Sequence, residues 1–248
     1  MIEVGLGFLI ALAIGLTGVG AGSITAPILI LLLHVPAPAA VGTALIYGGV
    51  IKLIGAPSYL LRKQVDFRVL AWMIGGGLPG VLVGSVLFSK YAKLRSDLLL
   101  GVLGGMIALT AAANLWRLIR SDRAEASKDR RRWLPFITLP IGAEFGFSSA
   151  GAGALGSVAL MGLTTIPTRQ IVGTDVFFGL ALSVIGGGFQ FSTGNFDAAL
   201  LTRLIAGGVV GVLVGANLSA LMPSRPLRFA LSLWLMSLGG QLCWRSLS

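Results

Sequence analysis

Long runs without a charge recur along the chain, among them the nineteen residues LAWMIGGGLPGVLVGSVLF (Leu70–Phe88) and the nineteen of LLLGVLGGMIALTAAANLW (Leu98–Trp116). Runs of this length approach the ~20 residues that a helix needs to span a bilayer core. The rest of the chain agrees with them. Of 248 residues, 55% are hydrophobic and 11% charged, against about 25% charged in an ordinary soluble domain. Mean hydropathy is +0.91. The sequence predicts an all-α integral membrane protein that crosses the lipid bilayer several times. Its first residues, MIEVGLGFLIALAIG, lack the basic start of a signal peptide and are expected to be retained.

The net charge of +10 raises nucleic acid as a partner, but its distribution points elsewhere. Seven of the 19 Lys and Arg residues fall in RLIRSDRAEASKDRRR, Arg117–Arg132, between Trp116 and Trp133. A basic loop flanked by interfacial tryptophans is what the positive-inside rule places in the cytoplasm. Contact with anionic lipid is compatible with it, and no nucleic acid is implied. One cysteine, Cys243, and one histidine, His34, exclude a disulfide framework and a Cys/His metal cluster within one chain. No Walker A motif and no G-x-S-x-G are present, so neither ATP hydrolysis nor a serine hydrolase is supported, and no cofactor is expected.

The chain reads as one unit written twice. VGT at Val41–Thr43 recurs at Val172–Thr174, an offset of 174 − 43 = 131. The same offset carries Gly15, Gly20, Ala21 and Gly22 onto Gly146, Gly151, Ala152 and Gly153, and Asp66 onto Asp197. Between Asp66–Leu87 and Asp197–Leu218, 11 of 22 positions are identical. A constant register over separate blocks predicts internal duplication. The expected organisation is a membrane repeat over 1–116, a basic cytoplasmic linker over 117–132 and a second membrane repeat over 133–248. Each repeat holds four apolar segments, about eight in all: 3–33, 38–61, 67–89 and 97–116, then 133–163, 169–192, 198–221 and 226–245.

The first segment of each repeat is peculiar. Each is 31 residues long, about 46 Å as a straight helix, too long for one ~30 Å core and too short for two crossings. Glycines sit near the middle of both, in GLTGVGAGS (Gly15–Ser23) and GFSSAGAG (Gly146–Gly153). This predicts a break at membrane depth, either a broken full span or a re-entrant hairpin. Such a break must be buried in protein or line a watery cavity. Converging amides and a helix start near Ser23 would suit an anion. Hairpins would make the two halves inverted, with loop Lys and Arg split 13 against 5; broken spans would split them 12 against 6. Gly76, Gly80 and Gly84, at four-residue spacing, read instead as a helix-packing stripe.

Four apolar segments repeated, a glycine-rich break in the first and VGT in the second resemble the TauE/SafE family of sulfite exporters and toluenesulfonate-uptake permeases. The resemblance implies a bacterial inner-membrane carrier for a small anion: an organosulfonate, sulfite or a related sulfur oxyanion. By position it implies substrate binding at Gly18, Gly20, Gly22 and Ser23, at Ser148, Ser149, Gly151 and Gly153, and at Thr43 and Thr174. The family often reads Gly-Thr-Ser at the two turns, where this chain has Ala44 and Asp175 as third residues.

Three ionisable residues lie inside apolar segments: Lys52, Glu144 and Asp175. An intramembrane charge is a functional-site hypothesis by default. Lys52 is expected to neutralise the substrate, while Asp175 or Glu144 carries a coupling ion, a proton or sodium. Two alternatives stand beside this: a buried Lys52–Asp175 salt bridge, and a Lys52 that snorkels toward Arg62 and Lys63. Asp66 and Asp197 each precede a helical stretch and read as N-caps. His34, in the short HVPAP turn, reads as interfacial. Secondary transport is the expected function, with a passive anion channel or a carboxylate carrier as alternatives.

Overall fold

The computed structural model describes residues 1–17, 21–91, 96–120, 129–218 and 224–246. Among them every α or β element is helical: α1 (Ile2–Thr17), α2 (Ala21–Leu31), α3 (Ala37–Leu61), α4 (Phe67–Tyr91), α5 (Ser96–Arg120), α6 (Leu134–Ser148), α7 (Ala152–Leu163), α8 (Thr168–Ser192), α9 (Ala198–Leu218) and α10 (Ser224–Arg245). A 3-10 turn, Arg131–Trp133, leads into α6. Five helices are long and apolar enough to cross a membrane, lying within α3, α4, α5, α8 and α9. Each 31-residue segment is a pair of short helices, and the second pair meets at Ser149–Gly151. The first break, with Gly18 and Gly20, lies outside the described residues.

Glycine sets how the helices pair. A methyl on Gly76, Gly80 or Gly84 of α4 would strike the carbonyls of Pro135, Leu139 and Ala143 on α6. Gly207, Gly211 and Gly215 of α9 face the carbonyls of Val4, Phe8 and Leu12 on α1 in the same way. Without side chains the backbones approach closely enough for packing to hold the pair in an apolar solvent. In both pairs the contacts advance in the same direction along both helices, so each pair is parallel. The packing reading of the Gly76–Gly84 stripe is the one the structure bears out.

Helices α3 and α8 run antiparallel. Gly42 of α3 lies against Asn195, beyond the end of α8, Gly49 lies against Ser183, and Gly173 of α8 lies against Gln64, beyond the end of α3. Two long-range hydrogen bonds fix the corners: Asp197 N donates to Thr43 Oγ1 (3.1 Å) and Asp66 N to Thr174 Oγ1 (3.0 Å). Asp66 and Asp197 also cap the helices they precede. Asp66 Oδ1 accepts from the amides of Arg68 and Val69, and Asp197 Oδ1 from that of Leu200, which is the expected N-cap role.

These contacts decide the path of the broken segments. The first turns of α1 lie beside the first turns of α9, and the start of α3 lies at that same end. The α1–α2 segment therefore returns to the face it entered from. The α6–α7 segment does so too, because Arg130 N, just before it, donates to Leu163 O at its end (2.8 Å). Both are hairpins. Residue 1 and the end of α10 share one end of the bundle, called here the terminal face. The end of α5 and the start of α6 share the other, the linker face.

Candidate functional site

The hairpin tips meet inside the bundle. Ser149 has a left-handed backbone (φ 61°), and its hydroxyl donates to the carbonyl of Gly22 (3.2 Å). A side chain on Gly22 would occupy the place of the Ser149 carbonyl. Gly151 also has positive φ (59°), and a Cβ there would run into the Glu144 carboxylate. Glu144 Oε1 accepts from Ser148 Oγ (2.8 Å) and Thr110 Oγ1 (3.3 Å), and Ala150 N donates to Ser148 Oγ (3.1 Å). Glu144 Oε2 is buried without a hydrogen-bond partner among the described residues. Beside it, a void of about 10 Å³ is bounded by Ser23, Thr110, Asn114, Gly151 and Gly153, room for about one water.

Gly153, in the first turn of α7, also borders a cavity of about 250 Å³. Lys52 and Asp175 line its inner part, and Ser58, Tyr59, Arg62 and Asn217 line the way toward the linker face. Ile14, Ile51, Ile54, Val176, Val212 and Leu213 supply apolar wall. Lys52, Gly55, Ser58, Tyr59 and Arg62 recur at the three- and four-residue spacing that puts them on one face of α3. That stripe was the sequence signal for Ser58, Tyr59 and Arg62, which the sequence reading left out of the site together with Asn217.

Lys52 is 8% exposed, and its ammonium has no hydrogen-bond partner among the described residues. It sits 5.1 Å from the centre of the Phe145 ring, over its face, an arrangement that attracts a cation through the ring's quadrupole. It therefore does not snorkel, and it is not hydrogen-bonded to Asp175 although both line one cavity. The Asp175 carboxylate takes Ser157 Oγ instead (2.8 Å). Gly156 and Gly179 make room for the two charged groups, since a Cβ on either would meet Asp175 Oδ1 or Lys52 Nζ.

The other predicted site residues divide. Gly22, Ser23, Ser148, Ser149, Gly151 and Gly153 gather at the meeting of the breaks. Thr43 and Thr174 do not join them. They sit near opposite ends of the α3–α8 pair, where their hydroxyls accept the Asp197 and Asp66 amides, and neither lines the cavity. A helix-start amide needs an acceptor, and at both corners the VGT threonine supplies it.

Hairpin tips meeting inside a helical bundle, beside a cavity lined by a buried ammonium and a carboxylate, form a solute-sized polar site within an apolar body. A family model described as sulfite exporter TauE/SafE matches residues 4–242. The chain is 31% identical to the "Probable membrane transporter protein YjnA" of Bacillus subtilis, over 92% of this chain and 93% of that one. It is 29% identical to the "Probable membrane transporter protein YdhB" of the same organism, over 91% and 93% of the two chains. A "Probable membrane transporter protein" of Xylella fastidiosa is 24% identical over 89% and 86%. No solved structure matches. With the family model spanning nearly its whole length, this chain belongs to the sulfite exporter TauE/SafE family of membrane proteins.

Proposed function

We propose that this protein is a secondary transporter that carries a small anion across the bacterial inner membrane, and that Lys52 is the substrate's counter-charge. The observation that carries this reading is the Lys52 ammonium, buried beside a cavity with no acceptor from the described residues. Asp175 lines the same cavity and attracts the ammonium, but its carboxylate accepts from Ser157 and makes no hydrogen bond to it. An anion entering the cavity supplies the hydrogen-bond acceptor that a buried ammonium needs. Arg62, exposed at the cavity's linker-face mouth, adds a second positive charge on the same route.

In this reading the two halves, 1–116 and 133–248, are inverted copies joined by a cytoplasmic linker over 117–132. The hairpin path and the antiparallel α3–α8 pair support it, as does the 13-to-5 split of loop Lys and Arg that hairpins imply. Substrate binds at the inner cavity near Gly153, with the breaks at Gly22, Ser23 and Ser148–Gly151 forming its back wall. Asp175 or Glu144 carries a coupling proton or sodium ion. A sulfur oxyanion or organosulfonate is the substrate class the family name supports, with a small carboxylate as the alternative.

Thermal shift of the purified protein against sulfite, thiosulfate, taurine, sulfoacetate and simple carboxylates identifies the ligand. Counterflow in proteoliposomes then separates carrier from channel, because only a carrier accumulates label against substrate on the far side. A protein that Lys52→Met leaves with wild-type ligand stabilisation would overturn the assignment of Lys52.

A further inference from the structure

The open cavity has a counterpart that is shut. Shifting its lining residues by 131 positions carries Lys52 to Ser183, Gly55 to Gly186 and Tyr59 to Gln190; in reverse it carries Val212 to Val81 and Ala216 to Ser85. The counterpart side chains are buried: Val81, Ser85 and Gln190 are 0% exposed and Ser183 is 2%. The two glycines show the difference most directly. A Cβ on Gly55 would meet nothing within 4 Å, whereas one on Gly186 would meet Val81 Cγ2 at 3.0 Å and both Leu45 Cδ2 and Ser85 Oγ at 3.7 Å.

The framework around them is the same on both sides. Gly15 of α1 packs on Val212 and Ala216 of α9, and its counterpart Gly146 of α6 packs on Val81 and Ser85 of α4. What differs is the second half of one long helix. On the linker face that of α3 stands off α9; on the terminal face that of α8 lies closed on α4. The closed side also holds orphaned polar atoms: Gln190 Nε2, and Ser183 Oγ, which borders an apolar groove between α3 and α8, are buried with no hydrogen-bond partner among the described residues. Polar groups that water never reaches are normally paired. These two would be paired if water periodically entered.

Resting on the transporter reading above, we propose that Ser85, Ser183 and Gln190 line a second vestibule, closed here, which opens to the terminal face as the linker-face cavity shuts. In that exchange α8 leaves α4 near Gly186, and α3 closes on α9 so that Gly55 meets Val212 and Ala216. The second vestibule has no formal charge of its own: Ser183 stands where Lys52 would be, Thr193 where Arg62 would be and Ala44 where Asp175 would be.

The test is thiol accessibility in membrane vesicles of both orientations, with Cys243→Ser as background and a membrane-impermeant methanethiosulfonate reagent. Asn217→Cys should react from the linker face, and Gln190→Cys and Ser85→Cys from the terminal face. Oxidising the pair Gly55→Cys/Ala216→Cys should shut the first cavity and raise the Gln190→Cys rate several-fold. Oxidising Gly186→Cys/Ser85→Cys should hold the second vestibule shut, reduce the Gln190→Cys rate to background and leave Asn217→Cys reactive. If Gln190→Cys and Ser85→Cys both stay unreactive from the terminal face, yet react after denaturation, the second vestibule does not exist. If Asn217→Cys is itself unreactive from the linker face, the transporter reading of the open cavity fails, and this proposal with it.

Discussion

The Ser149 hydroxyl donates to the carbonyl of Gly22 over 3.2 Å, joining the tips of two hairpins 127 residues apart in sequence. Both partners are constrained by this contact. Ser149 holds a left-handed backbone (φ 61°), and Gly22 must lack a side chain for the Ser149 carbonyl to fit. Substituting Gly22→Ala places a methyl on backbone that cannot rotate away, which costs on the order of 1–3 kcal/mol when a packed site is overfilled. The variant should show a lowered Tm in detergent and reduced uptake. Ser149→Ala, which removes only the hydrogen bond, should cost less, about 1 kcal/mol. Equal effects from the two would mean that the backbone contact is not what holds the tips together.

Gly151→Val should abolish transport while leaving folded protein in the membrane. Its φ of 59° is one that a β-branched residue adopts only with strain, and its Cβ position is taken by the Glu144 carboxylate. The carboxylate must then leave Ser148 and Thr110, so the break and the Glu144 hydrogen bonds fail together. Expression and gel-filtration profiles separate loss of transport from loss of fold. Near-normal uptake by this variant would return Gly151 to a packing role.

Asp175→Asn keeps the shape and the hydrogen bond from Ser157 but cannot ionise. It should retain exchange of labelled for unlabelled substrate and lose proton-driven accumulation. If Asp175 is instead a structural partner of Lys52, the same change should lower Tm, and the double variant with Lys52→Met should restore it. Accumulation at the wild-type level at every pH tested would defeat both accounts.

The glycine-lined pairs predict a clean contrast in stability. Gly80→Leu and Gly211→Leu drive side chains into the facing carbonyls of Leu139 and Phe8 and should sharply lower thermal stability. Gly75→Ala and Gly105→Ala, where a Cβ meets nothing within 4 Å, should be neutral or stabilising, by up to about 1 kcal/mol for replacing glycine inside a helix. A thermal-denaturation series over the four variants checks this, and indistinguishable midpoints would remove glycine packing as the basis of the α1–α9 and α4–α6 pairs.

Local chemistry alone determined much of this protein. Long uncharged runs could become only buried or membrane helices. Glycine clusters inside segments too long for one crossing required breaks, one of which falls at Ser149–Gly151. Aspartates before helical stretches became caps, because a cap is made by a residue and the two or three amides that follow it. Tertiary structure decided everything that depended on which distant surfaces met. Whether the broken segments cross or return is set by the contact of Arg130 with Leu163 and by the corner bond from Asp197 to Thr43, neither of which periodicity encodes. The family resemblance put Thr43 and Thr174 at the substrate; the fold gives their hydroxyls the amides of Asp197 and Asp66, more than a hundred residues away in sequence. Lys52 was legible as a misplaced charge, while its lack of a hydrogen-bond acceptor among the described residues was not. Attraction between charges depends on distance in three dimensions, and packing of α3 against α8 left its ammonium facing a cavity and the Phe145 ring with no hydrogen bond to Asp175.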